Sequence, residues 1–237
     1  MEAPLEILFE DNHLIIVNKA CGELVQGDQT GDRTLGDRVK DYLKETYGKP
    51  GNVFLGIPHR LDRPVSGIVV YAKTSKALSR MADLFRTGGI GKVYWAVTAT
   101  APAQTEAELR DYLLRNQKQN KSYAVEKGRK NAKESVLKYR LLGASDNYFL
   151  VEVLLLTGRH HQIRAQLSHA GCPIKGDLKY GAPRSNPDGG ISLHAHFIKF
   201  EHPVTKETVS VSAPPPKDPV WDFFNGSYGA DASVFLT

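Results

Sequence analysis

The sequence is poor in the features that announce a familiar chemistry. Its 237 residues contain two cysteines, Cys21 and Cys172. That is too few for a disulfide framework and points to a reducing compartment. There is no Walker-type phosphate loop, no GxGxxG after a strand, no GxSxG and no CxxC. Nucleotide hydrolysis, dinucleotide binding and serine or cysteine nucleophilic catalysis therefore have no motif to rest on. Long apolar runs are missing too. Val153–Leu156 is among the longest, whereas a membrane-spanning helix needs about 20 apolar residues. Met1 leads into acidic residues rather than a basic-then-apolar segment, so no signal peptide is expected. No internal repeat or low-complexity segment is visible. The expectation is a soluble cytoplasmic protein with no membrane association.

What is present is ordinary in bulk and unusual in two places. Hydrophobic residues make up 41% and charged residues 24%, enough apolar material for a packed core. The length fits one large mixed domain or two modest ones. Lys and Arg number 31 against 26 for Asp and Glu, a net charge of +5. That balance permits a polyanionic partner without requiring one.

Most of the chain reads as alternating strands and capped helices. Leu5–Phe9 and Leu14–Asn18 flank Asp11-Asn12 as a hairpin. Gly22–Arg33 reads as a loop. Thr34 can cap a helix with Leu35, Val39 and Leu43 on one face, and Ser75 a second with Leu78, Met81, Ala82 and Phe85 inward, stopped at Gly88-Gly89. Strands are expected at Lys92–Val97, Leu109–Leu114, Ser135–Leu142, Tyr148–Leu156, Ser192–Phe200 and Glu207–Ser212. The aromatics Trp221, Phe223 and Phe224 can dock on the core from the C-terminal tail. Arg115–Arg129 carries five cations against one Glu. It suits a solvated loop or hairpin and a phosphate-contacting patch equally well.

The first unusual stretch is Pro58–Lys73, PHRLDRPVSGIVVYAK. His59, Arg60, Asp62 and Arg63 precede Pro64 and Gly67, and a buried-strand run follows from Ile68 to Tyr71. Asp62 thus sits on a loop before a core strand, with cations on both sides that favour its ionised form. A carboxylate so placed can be a nucleophile or a general base; it can equally cap a turn or form a surface pair. The second stretch is Thr157–Gly181, TGRHHQIRAQLSHAGCPIKGDLKYG. Ile163, Leu167 and Ala170 share a helix face that Gly171 ends. Arg159, His160, His161 and Arg164 crowd its first turn, where cations oppose the helix dipole. An anionic partner would explain them.

Eight histidines raise the question of a metal. His194 and His196 alternate on one strand and face the same way, but a third ligand at defined spacing is missing. No metal is expected.

His-Arg-Leu-Asp followed by residue-Ser-Gly and an apolar strand resembles the signature of the RluA-type pseudouridine synthases. So does ILFEDNHLIIVNKACG near the start, the Lys-x-Tyr-x-Ala element at Lys92–Ala96, and Arg159, His161, Gln162, Ile163, Arg164 with Gly171, Pro173, Ile174, Gly176 and Asp177. The resemblance covers about Leu5–Pro214. Val65 stands where many members have Thr, and Gln166 where many have His. It implies a single catalytic domain over residues 1–237, with 215–237 a tail of unreadable role and no preceding S4-type module. The implied fold is α+β, a mixed, mostly antiparallel central sheet with flanking helices. The implied catalytic residues are Asp62, Tyr94 and Arg164, Arg164 pairing with Asp62 (bidentate where geometry allows) and Tyr94 lying over the target base and helping to remove its C5 proton. His59, Arg60, Arg63, Arg159, His161 and Gln162 are the implied RNA contacts, with Arg60 filling the gap left by an extruded base. The implied substrate is a uridine in an rRNA or tRNA stem-loop, handled by a monomer without a cofactor. A non-catalytic RNA-binding protein on the same fold and a histidine-based metal hydrolase are the rival expectations.

Overall fold

The structure, a computed structural model, describes residues 4–27, 30–228 and 235. Residues 28–29 of the expected Gly22–Arg33 loop, and 229–234 and 236–237 of the tail, lie outside the described residues, as do residues 1–3. Strands β1 (Glu6–Glu10) and β2 (Leu14–Lys19) form the expected hairpin. Its turn closes on Asp11, whose Oδ1 accepts from the amides of His13 and Leu14, each at 2.7 Å. The remaining strands are β3 (Ser66–Ala72), β4 (Ile90–Thr98), β5 (Glu106–Asn116), β6 (Lys121–Val125), β7 (Lys133–Ala144), β8 (Phe149–Leu155), β9 (Leu193–Glu201) and β10 (Thr208–Ser212). They form one sheet in the order β1-β2-β3-β9-β4-β8-β7-β5-β6, with β10 alongside β9. The fold is α+β, and the mixed, mostly antiparallel sheet is the expected one.

The one parallel join, β3 to β9, is short: Ser66 opposite His194 and Gly67 opposite Ala195. It can exist only with glycine at 67. The backbone there has φ +110°, and a Cβ would sit 2.4 Å from the Ala195 carbonyl oxygen, well inside contact distance. The absent side chain lets the strand that leaves the Asp62 loop enter the middle of the sheet. Every residue of β3 is buried.

The helices follow from their caps and stripes. Helix α1 (Leu35–Thr46) starts at Thr34, whose hydroxyl accepts from the Asp37 amide while Asp37 accepts from the Thr34 amide. Leu35, Val39 and Leu43 are its buried face, as the spacing predicts. Helix α2 (Ser75–Thr87) is capped by Thr74, not Ser75, and ends at Gly88 with φ 79°. Its buried face is Ala77 and Met81; Ala82, expected inward, is exposed. Leu78 and Phe85, also expected inward, are half-buried and pack against the core with Leu84, while Ala82 lines the cleft that Asp62 also lines.

Helix α3 (Gln162–His169) begins later than its cations suggest, so Arg159, His160 and His161 precede it. Helix α4 (Pro219–Tyr228) seats Trp221 and Phe224 on Trp95, Val97 and Leu150, about 1.5–3 kcal/mol for burying each large apolar side chain. Phe223, expected to dock as well, is 50% exposed on the opposite face.

His194 and His196 do face one way, toward the chain after β10. Ring nitrogens of both lie 3.0–3.1 Å from the Ala213 carbonyl, and His194 Nδ1 pairs with Ser66 Oγ at 2.9 Å. They tie the end of β10 to β9 and to the parallel join. No cluster of three or more metal-ligating side chains occurs among the described residues.

Candidate active site

The Asp62 loop is fastened from below. Lys19, at the end of β2, is almost wholly buried. Its ammonium donates to the carbonyls of Ala20 (2.9 Å) and Arg63 (3.1 Å). The Gly22 amide donates to the same Arg63 carbonyl, and the Ile191 amide to that of Pro64. Burial pulls the Lys19 pKa down to about 8, against the raising effect of nearby Glu23. With the Val65 amide donating to the Asp62 carbonyl at 3.1 Å, four backbone groups of residues 62–65 have fixed partners, and Asp62 is held at the cleft.

That cleft has a volume of about 510 Å³, and Arg60, Asp62, Tyr94, Arg159, His161 and Arg164 all line it. Folding therefore brings Asp62 together with a side chain 102 positions away in sequence (164 minus 62). Arg164 Nη1 lies 3.2 Å from Asp62 Oδ2. The bidentate geometry expected for this pair goes elsewhere. Arg164 Nε and Nη2 donate to Asp177 Oδ2 and Oδ1 at 2.7 and 2.8 Å. Asp177 is buried, on a segment laced between strands: the Lys175 amide donates to Val97, and the Ser192 amide to Lys175. Burial disfavours the charged Arg164, but Asp177 first and Asp62 second outweigh it, so its pKa is raised.

Tyr94 reaches the cleft from β4 at a β-bulge between Val93 and Tyr94 in the pairing with β9, a device that re-aims side chains. Burial first, and the Asp62 charge second, raise its pKa. The phenol is thus held in its neutral form. His161 lies on the other side of Asp62, its Nε2 3.4 Å from Oδ2. Its backbone has φ 54°, and it occupies the N-cap of α3 without capping it. Burial first, then Arg164, depress its pKa to about 2, so the ring is neutral. It stacks on His160 at 3.8 Å.

The other sequence candidates divide. Arg60 is exposed at the cleft mouth and has no hydrogen bond or ion pair among the described residues. Arg159 is exposed on the cleft wall, anchored through Nε to the Glu134 carbonyl at 3.1 Å. His59 is half-buried and committed to the fold: Nε2 accepts from the Val70 amide at 2.9 Å, and the ring stacks on Phe85 at 4.3 Å. Burial holds its pKa down to about 3. Gln162, expected to touch RNA, is buried with its whole amide internally bonded, to Thr157, Arg159, Val136 and Gln166. Arg63 turns away from the cleft to the Gly22 carbonyl and Asp32, each at 3.0 Å.

Two residues assigned no role from sequence stand next to the chemistry. Asp177 was legible only as part of the Gly-Asp element. Tyr180 touches both partners of Asp62: its hydroxyl is 3.0 Å from His161 Nδ1, and Arg164 lies over its ring at 5.0 Å.

Residues 13–169 match the family model described as RNA pseudouridylate synthase. The chain is 31% identical over 238 residues to the ribosomal large subunit pseudouridine synthase D of Xanthomonas campestris, covering 92% of this chain and 68% of that protein. It is 30% identical over 251 residues to the tRNA pseudouridine synthase C of Vibrio cholerae, covering 98% and 99%. Against the longer relatives it spans 66–70% of their length. The solved structure of human RNA pseudouridylate synthase domain containing 4 superposes with a TM-score of 0.76 at 26% identity, covering 92% of this chain and 91% of that one. The matched span contains Asp62, Tyr94 and Arg164 in the order and setting just described, and the chain belongs to the RluA-type RNA pseudouridine synthases, a family of isomerases.

Proposed function

We propose that this protein converts a specific uridine in an rRNA or tRNA stem-loop to pseudouridine, with Asp62 as the catalytic carboxylate and the base turned out of its stack into the cleft. The supporting observation is that a guanidinium 102 residues away, pinned by Asp177, meets the Asp62 carboxylate in a cleft of about 510 Å³. That cleft also holds an aromatic ring, Tyr94.

The reaction breaks the bond from uracil N1 to ribose C1′ and forms one from uracil C5 to the same carbon. The C5 proton leaves and N1 gains one, so nothing is gained or lost overall. Asp62 either attacks the sugar carbon or assists departure of the base and traps the fragment. Both routes need an ionised carboxylate with a fixed orientation. Asp62 Oδ2 has Arg164 and His161 beside it, while Oδ1 has no hydrogen-bond partner among the described residues. Oδ1 is the oxygen that would face the sugar.

Tyr94 supplies a ring for the uracil to stack on. Its raised pKa makes it a phenol in the resting site, so any part it takes in removing the C5 proton begins from the neutral form. Extruding the base costs on the order of a few kcal/mol. Arg60, exposed and unattached at the cleft, is our candidate to occupy the vacated stack. Arg159 is placed to meet a phosphate.

The test is conversion of a transcribed rRNA or tRNA fragment by the parent protein and by Asp62→Asn. Pseudouridine from the parent and none from the variant is expected. Equal yields would refute the assignment of Asp62, and RNA binding by the parent without product would make it a binding protein on this fold.

A further inference from the structure

Tyr180 lies outside the family-model match, on the 3-10 turn Leu178–Tyr180. It is buried, with Arg164 and Lys121 both 5.0 Å from its ring centre. Its hydroxyl has two partners. The Ser122 amide on β6 donates to it at 2.8 Å, and His161 Nδ1 lies at 3.0 Å.

A backbone amide can only donate, so the phenol oxygen is an acceptor toward Ser122. The single phenol proton must then find an acceptor, and His161 Nδ1 is the one within reach. Were Nδ1 itself protonated, the phenol proton would be buried without a partner, at the cost of an unmade hydrogen bond. The neutral imidazole therefore carries its proton on Nε2, the atom 3.4 Å from Asp62 Oδ2.

We propose that Tyr180 is a positioning residue: it fixes His161 as the Nε2–H tautomer, so that the imidazole turns its N–H, not a lone pair, toward Asp62 Oδ2 and leaves Oδ1 for the substrate. The opposite tautomer would aim a lone pair at a carboxylate. The site is built around this arrangement. His161 holds a left-handed backbone at φ 54° that disfavours ordinary side chains. Its imidazole makes no cap bond to α3 and faces Tyr180 instead. His160, itself held near Ser122 Oγ and Asn120 Oδ1 at 2.9 and 3.0 Å, clamps the ring by stacking. Burial keeps Tyr180 protonated, its pKa pushed up to about 12. This role deepens the isomerase reading and rests on it for its catalytic consequence, but the tautomer itself does not depend on substrate.

The experiment has two arms. Two-bond proton–nitrogen correlation spectra of the parent protein, with the His161 signals assigned through their loss in His161→Asn, should show Nε2 protonated and Nδ1 bare. A proton on Nδ1 overturns the proposal whatever the activity. Tyr180→Phe removes only the hydroxyl. Its kcat should fall about tenfold, the effect of one lost hydrogen bond on a barrier, with KM unchanged and the His161 spectrum moved toward Nδ1–H. A parent-like rate, or a slower rate with the parent tautomer intact, overturns it. Failure of the isomerase reading would look different: the parent itself would bind the transcript and form no pseudouridine, while its His161 tautomer stayed as described.

Discussion

Arg164 gives two hydrogen bonds to Asp177 and one, the longest of the three, to Asp62. The guanidinium is therefore held in place by the buried Asp177 carboxylate, and the third donor is delivered to the Asp62 carboxylate in the cleft. Such a division needs a planar fork with several donors, which lysine lacks. Arg164→Lys keeps the charge but cannot hold Asp177 bidentately and reach Asp62 together. One buried charge-assisted hydrogen bond is worth about 1.5–3 kcal/mol. If that is lost at the transition state, turnover falls by roughly 10- to 100-fold. Turnover with a uridine-containing transcript, with circular dichroism to verify the fold, checks this. A lysine variant with parental turnover would mean that the single contact to Asp62 does not matter to the reaction.

How far the sequence revealed this site depended on the range of the interactions involved. The α1 cap was legible because Thr34 and Asp37 lie within one turn. The β3 core strand was legible because an unbroken apolar run has few other places to go. Asp62 and Arg164 were found through motif resemblance, because no local rule links residues 102 apart. Arg63 adjoins Asp62 in the motif, yet its side chain turns to Gly22 and Asp32, partners that lie 41 and 31 positions away (63 minus 22 and 63 minus 32). Gln162 lines the cleft, but its amide is taken by four internal partners that no local pattern announces. Tyr180 gave no signal, since its partner Ser122 is 58 residues away, on β6.

The buried histidines make stability depend on pH in a definite direction. Burial depresses His161 to about 2, His194 to about 3 and His196 to about 4, against about 6.5 in an unfolded chain. Between those values the unfolded chain binds more protons than the folded one, so unfolding becomes easier as pH falls. The contribution is complete above pH 6.5 and is lost progressively below it. Each histidine adds a slope of up to about 1.4 kcal/mol per pH unit. Urea unfolding at pH 7 and at pH 5.5 reads these three together with the likewise depressed His59 and His160, because carboxylates titrate mostly lower. The midpoint should be lower at pH 5.5 with an unchanged m-value. Equal midpoints would mean that these rings are solvated enough to charge at no cost.

The cationic hairpin of β5 and β6 is joined to the cleft through His160, which meets Asn120 in its turn and Ser122 on β6. Arg115, Lys118, Lys127 and Arg129 are exposed along it and just beyond. A solvated surface and a phosphate track differ in one measurable respect. Cations that contact phosphates release counterions on binding, and each lost contact reduces the salt slope of log affinity by about 0.7–0.9. The triple variant Lys118→Gln, Lys127→Gln, Arg129→Gln leaves the cleft residues untouched. If these side chains meet the RNA, its affinity for a stem-loop falls and its salt slope becomes shallower, while kcat at saturating RNA stays at the parental value. An identical slope in parent and variant would assign the cations to solvent. The RNA would then be gripped by the residues at the cleft mouth, Arg60 and Arg159, whose substitution should flatten the slope instead.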